Sequence, residues 1–86
     1  MPEIARFYGI VIRMYFADHN PPHFHAFYSG LEALVDIRTL AVFAGYLPPR
    51  ALGLAVEWAA IHQDELLADW ELAREGRPPI RIEPLV

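Results

Sequence analysis

The sequence predicts an α+β fold. An antiparallel sheet of about four strands in a meander comes first, then one long C-terminal helix packed on one face of it, and a short C-terminal edge strand. Three observations carry this. Aromatic and β-branched runs separated by turn residues fill the chain from Arg6 to Tyr46. Pro48-Pro49 then opens a stretch of helical apolar spacing that lasts to about Glu75. Ile80-Arg81-Ile82-Glu83 returns to strand-like alternation. The 86 residues make one domain, 1–86.

Arg6 to Phe16 reads as the first strand, with Ile10, Ile12, Met14 and Phe16 on one face and Val11, Arg13 and Tyr15 on the other. Gly9 marks a bulge or a close approach within it. Ala17 to Pro22 is a loop, since Asn20-Pro21 and Pro21-Pro22 are turn signals. His23 to Tyr28 is the second strand. Ser29-Gly30 is a two-residue hairpin turn, and Leu31 to Ile37 is the third strand. A tight turn at Arg38-Thr39 leads into the fourth, Leu40 to Tyr46.

In the helix, Leu52, Val56, Ala59, Leu66, Trp70 and Ala73 fall near one stripe. Leu54, Trp58 and Ile61 flank it, and Gln63 interrupts it. A continuous helix from Pro49 to Glu75 would be ~40 Å long, against ~23 Å for a seven-residue strand. Its second half therefore overhangs the sheet, kinks near His62 to Asp64, or packs on a partner. Gly76 ends it as a C′ residue, and Pro78-Pro79 reinforces the stop.

Pairing across Ser29-Gly30 sets Tyr28 opposite Leu31, Ala26 opposite Ala33, His25 opposite Leu34, Phe24 opposite Val35 and His23 opposite Asp36. One face then holds Phe24, Ala26, Tyr28, Leu31, Ala33 and Val35, continued by Ile37, Leu40, Val42 and Ala44. The other holds His23, His25, Phe27, Glu32, Leu34 and Asp36. Register follows burial, so Ile10, Ile12, Met14 and Phe16 join the apolar face beneath the helix. Arg13 and Tyr15 then lie beside His23 and His25, which face outward.

Composition narrows the chemistry. No cysteine is present, so there is no disulfide and no thiolate metal ligand. The net charge of −4 disfavours non-specific RNA or DNA binding, which depends on many phosphate contacts. The chain has no lysine, so every cationic side chain outside the histidines is an arginine. Met1-Pro2-Glu3 lacks the basic start of a secretory signal. The longest apolar run, Ala51 to Ile61, is broken by Glu57 and too short for a bilayer. A cytoplasmic location without membrane insertion is expected. The 55% apolar content is high for so small a domain and favours a partner surface.

The densest chemistry lies in Asp18-His19-Asn20-Pro21-Pro22-His23-Phe24-His25, which holds three of the four histidines. Two readings follow. His23 and His25 form a general acid and base, with Arg13 for a phosphate oxyanion and with Asp36 and Tyr15 beside them; this would suit metal-free RNA cleavage. Alternatively, His19, His23 and His25 with Asp18, or with Asp36, coordinate Zn²⁺ or another divalent metal. A third reading is a protein-interaction module without chemistry. The blander reading keeps the histidines as solvated groups on an exposed strand face and Asp36 as a cross-strand ion partner. In that reading Trp58 and Trp70 belong to the core. Asp64, Glu65, Asp69, Glu71 and Glu75 form a solvated helix face.

Further residues carry a resemblance. Pro2-Glu3-Ile4, Arg6-Phe7-Tyr8-Gly9, Ile12-Arg13-Met14-Tyr15-Phe16, the Asp18 to His25 string and Leu47-Pro48-Pro49-Arg50-Ala51-Leu52 resemble the domain of unknown function 4160 family. Trp70-Glu71 and Ile82-Glu83-Pro84-Leu85 also fit. The resemblance covers nearly the whole chain and implies a small bacterial cytoplasmic protein. Genes of this family often sit beside another short gene, as in toxin–antitoxin pairs, which implies a small cognate protein partner. A homodimer is the alternative. The resemblance brings no catalytic residues with it.

Overall fold

Five strands and two helices follow one another in a computed structural model that describes residues 2–86. They are β1 (Glu3–Phe7), β2 (Ile10–Arg13), β3 (His23–Tyr28), β4 (Leu31–Asp36), β5 (Val42–Gly45), α1 (Pro49–Ile61) and α2 (Gln63–Arg74). The strands form one antiparallel sheet in the order β1-β2-β3-β4-β5, a meander. The architecture is the expected α+β class, with five strands in place of four and two helices in place of one.

The extra strand comes from splitting Arg6 to Phe16. Phe7 pairs with Ile10 across a two-residue turn in which Tyr8 has φ 49° and Gly9 φ 80°. Gly9 is therefore a turn residue, not a bulge. The same left-handed pair recurs at Ser29 (φ 51°) and Gly30 (φ 80°), where the turn was expected. A tyrosine is an unusual first residue for such a turn, since its Cβ crowds the backbone at positive φ.

Central registers follow the alternation. His23 pairs with Asp36, Phe24 with Val35, His25 with Leu34, Ala26 with Ala33 and Tyr28 with Leu31. Ile12 pairs with Ala26 and Arg13 with His25. Ile10, Ile12, Met14, Phe24, Ala26, Ala33, Val35 and Ile37 are all buried. Each isoleucine or phenylalanine so placed stabilises the fold by about 1.5–3 kcal/mol relative to exposure.

Three edges depart from expectation. Phe16 is 46% exposed because β2 ends at Arg13 and the alternation, which still buries Met14, gives out before it. The chain then turns at Ala17 (φ 52°), whose N–H donates to the Ala73 carbonyl. At the other edge, Val35 pairs with Val42 as expected, but a bulge then sets Leu34 opposite Ala44. That extra residue moves Ala44 off the apolar face to an exposed position on the histidine face. The turn before β5 is wider than a two-residue loop: Leu40 takes φ 62° and donates its N–H to the Asp36 carbonyl.

The helical stretch kinks at His62. Of the three outcomes open to so long a helix, this one keeps both halves on the body of the protein. α1 lies on the apolar face through Ala51, Ala55, Trp58 and Ala59. Its small residues let Trp58 reach Phe7 and Phe24, with ring centroids 5.4 and 5.9 Å away. The buried stripe is rotated from the expected one, which leaves Ile61 exposed. Gln63 starts α2 by donating to the Ile37 carbonyl at 2.9 Å, so the residue that broke the apolar stripe ties the helix to the turn before β5. α2 then crosses the end of the sheet toward Ala17. It ends as expected at Gly76 (φ 77°): Gly76 N–H donates to Ala73 and Arg77 N–H to Leu72.

The C-terminal segment forms no strand. One backbone bond, Ile82 N–H to the Ile4 carbonyl, docks it against β1. The β1 bulge between Glu3 and Ala5 interrupts the ladder there, and prolines 78, 79 and 84 lack donors. Two side chains complete the clamp: Trp58 Nε1–H donates to the Glu83 carbonyl, and Asp69 Oδ1 accepts from Ile80 N–H. Asp69 is thus 2% exposed and does not belong to a solvated helix face.

Candidate metal centre

The site forms where β3 starts, under the β2–β3 loop and the end of α2. His23 is the first residue of β3, and its ring is enclosed by Trp70 of α2, Phe43 beside the β5 bulge and His25, with centroids 5.2, 5.2 and 5.1 Å away. It is 3% exposed, a correction to the outward-facing histidine expected from alternation. Alternation does assign the sheet face. At the sheet's end, however, α2 and Phe43 close over that face.

Each imidazole has one nitrogen committed to an oxygen. His23 Nδ1 lies 2.7 Å from the Pro21 carbonyl, an atom without a hydrogen, so Nδ1 carries the proton and donates. His25 Nδ1 lies 2.8 Å from Glu32 Oε2 and donates to that carboxylate. Both Nε2 atoms then face a single oxygen, Asp18 Oδ2, at 3.0 Å from His23 and 3.1 Å from His25. The His25 contact has hydrogen-bond alignment, whereas His23 Nε2 is buried without an aligned partner. Two neutral imidazoles in these tautomers would turn lone pairs toward a carboxylate. A proton or a cation between them resolves the conflict.

The loop holds Asp18 in place: its other oxygen, Oδ1, accepts the His19 N–H at 2.8 Å. Burial pushes the Asp18 carboxyl up. The His25 hydrogen bond, the His19 N–H and the Coulombic influence of His23 and His25 outweigh it, leaving the carboxyl below its ordinary range.

Asp18, His23 and His25 offer ligand atoms that all lie within 4.8 Å of one another. For a tetrahedral metal at about 2.1 Å from each ligand, donors sit about 3.4 Å apart. The two Asp18 contacts, at 3.0 and 3.1 Å, are hydrogen-bond distances that would open by a few tenths of an ångström to admit an ion. The Nδ1–H bonds to Pro21 and Glu32 are of the kind that orient histidines in metal sites.

The other predicted residues fall around this centre or away from it. His19 is exposed and contributes its backbone N–H. Tyr15 packs edge-on against His25 at 4.4 Å. Arg13 sits across from His25 with its guanidinium 5.0 Å above the Phe27 ring. Asp36 pairs with His23 in register, but its Oδ1 accepts the N–H groups of Arg38 and Thr39 and so serves the turn. Sequence reasoning missed three contributors: Glu32, Trp70 and Phe43. The register already placed Glu32 on the histidine face, diagonal to His25. Alternation likewise put Phe43, between Val42 and Ala44, on that face, whereas Trp70 carried no such signal, since α2 brings it in.

No helix among the described residues is long and apolar enough to cross a membrane. No curated protein and no solved structure matches the chain. The family model described as Domain of unknown function (DUF4160) matches residues 9–71, from the first hairpin turn to the middle of α2, and the chain belongs to that family.

Proposed function

We propose that this protein is a small metal-binding domain that holds a divalent first-row ion, Zn²⁺ or a neighbour in that series, between Asp18, His23 and His25. The observation that carries the reading is the pair of Nε2 atoms aimed at one Asp18 oxygen while both Nδ1 atoms donate to oxygens. Two imidazoles and one carboxylate suit zinc and iron, and calcium and magnesium poorly. Three protein ligands leave a position for water or substrate, as in metal sites that do chemistry. The test is elemental analysis of untagged protein, followed by thermal melting with added Zn²⁺, Ni²⁺ and Mn²⁺. The expected result is stoichiometric metal and a raised melting temperature, both lost in His23→Ala. A metal-free protein whose melting ignores all three ions rejects the proposal.

The second reading is a toxin–antitoxin component with a ribonuclease-like face, docked on a small cognate protein or a second copy. It rests on His23 and His25 as an acid–base pair, their rings 5.1 Å apart. Strong expression should then arrest growth, and His25→Ala should relieve the arrest. Normal growth with intact protein present would sink this reading.

A further inference from the structure

We infer that the centre at Asp18, His23 and His25 takes a phosphoryl oxyanion as its external ligand, with Arg13 as the second anchor. The inference rests on the metal-site reading above and adds the ligand class.

Arg13 is the half-buried arginine whose charge no carboxylate offsets. Arg6, Arg74, Arg77 and Arg81 each have a carboxylate within ion-pair range, whereas Arg38 and Arg50 are exposed to water. Arg13 has neither outlet among the described residues. The acids nearest along its face are already engaged. Glu3, its neighbour on β1, gives both oxygens to Arg6 and also meets Arg81. Glu32 accepts from His25. Partly buried cations without a counter-charge are costly, so an arginine kept in this state points to an anion that arrives from outside.

The position fits that role. Arg13 and His25 are cross-strand partners, so their Cβ atoms lie about 4.5–5.5 Å apart on one face. Phe27 floors both: the guanidinium sits above its ring, and the His25 ring lies nearly parallel to it at 6.4 Å and 13°. This cation–π contact uses the face of the Phe27 ring and no acceptor atom, so the guanidinium N–H groups remain for an oxyanion, which arginine binds through two of them. Charge agrees. A divalent ion is balanced by Asp18 and Glu32, and Arg13 then leaves the site with one excess positive charge. A phosphoryl group can give one oxygen to the metal and two to the fork. A carboxylate has two oxygens in all for both tasks.

The experiment uses the whole chain loaded with Co²⁺, whose visible spectrum reports a change of ligand at the metal. Inorganic phosphate, a nucleoside monophosphate and acetate are titrated separately into the wild type, Arg13→Gln and Arg13→Lys. Phosphate or the monophosphate should shift the wild-type spectrum saturably, the tighter of the two showing whether the ligand is the free ion or an ester. Arg13→Gln should weaken that binding by about ten-fold or more, the value of a charge-assisted fork, with Co²⁺ affinity changed by less than about three-fold. Arg13→Lys should fall between, as a point charge without the fork, and serves if the glutamine variant folds poorly. Undiminished phosphate binding in both variants overturns the inference, as does acetate binding as tightly as phosphate, or no spectral response to phosphate. Failure of the wild type to bind Co²⁺ is read first, and it defeats the metal-site reading itself.

Discussion

Among the described residues, His23 and Asp69 are the two polar side chains buried almost completely, and each has one polar atom without an aligned partner. Their surroundings differ. Asp69 stands alone: Oδ1 accepts the Ile80 N–H, Oδ2 has no hydrogen-bond partner among the described residues, and Glu65 adds a like charge nearby. Burial pushes its carboxyl up, the Ile80 N–H pulls it down, and Glu65 pushes it up again, for a net rise. Taking up one proton settles that site. His23 instead shares its conflict with Asp18 and His25, and a single cation among the three settles all of them. A lone buried acid that clamps a chain terminus reads as structural. A buried cluster with outer-sphere hydrogen bonds reads as a place for a ligand.

The largest effect that could break this contrast is at His23. With metal at 100 times its dissociation constant, the native protein should gain about 2.7 kcal/mol of stability, and His23→Ala should gain almost none. Denaturant melts with and without Zn²⁺ measure it, and an equal gain in the variant would put the metal elsewhere. Next comes Asp69→Ala, which strips the Ile80 N–H of its acceptor and loosens the C-terminal clamp. It should cost about 1–3 kcal/mol and leave the response to metal unchanged. Asp69→Asn keeps an oxygen for Ile80 and should cost less.

A smaller effect is the pH dependence of that last pair. The folded-state pKa of Asp69 lies above its ordinary value of 3.8, so the native state holds this proton more tightly than the unfolded chain does. Its stabilising contribution is complete below 3.8 and is lost as pH rises through the folded value. The wild type should therefore lose stability relative to Asp69→Asn over that interval, measured as a difference in unfolding free energy across a pH series. A flat difference would mean that Asp69 is not a lone buried acid. The smallest effect is expected from His19→Ala: within about 0.5 kcal/mol, with metal affinity unchanged, because an alanine keeps the N–H that Asp18 uses. A large loss of metal in that variant would return His19 to the ligand set.

Much of the frame was legible from residue spacing. The β3–β4 register follows from a two-residue turn and period-two alternation, which leave one pairing that buries Phe24, Ala26, Ala33 and Val35 together. The helix stop at Gly76 follows from a backbone conformation that suits glycine. The length conflict between helix and strand announced the break near His62, though not how the chain would resolve it. The first hairpin was hidden because Tyr8 takes a left-handed conformation that its side chain does not advertise. The partners of the histidines were hidden for a different reason. Asp36 is opposite His23 in register but hydrogen-bonds its own turn, whereas Asp18 reaches both histidines because Ala17 docks on α2.

By itself, then, the sequence determined the α+β class, the sheet face of the residues in β2, β3 and β4, and the stretch from Asp18 to His25 as the densest run of candidate ligand groups. These follow from local rules: strand period, turn conformation and residue type. The tertiary structure decided which carboxylate faces the histidines, that His23 is buried, and that Arg13 meets no carboxylate within ion-pair range among the described residues. Those depend on how α2 crosses the end of the sheet after its break at His62 and on the bulge that sets Phe43 against His23, contacts between segments far apart in the chain.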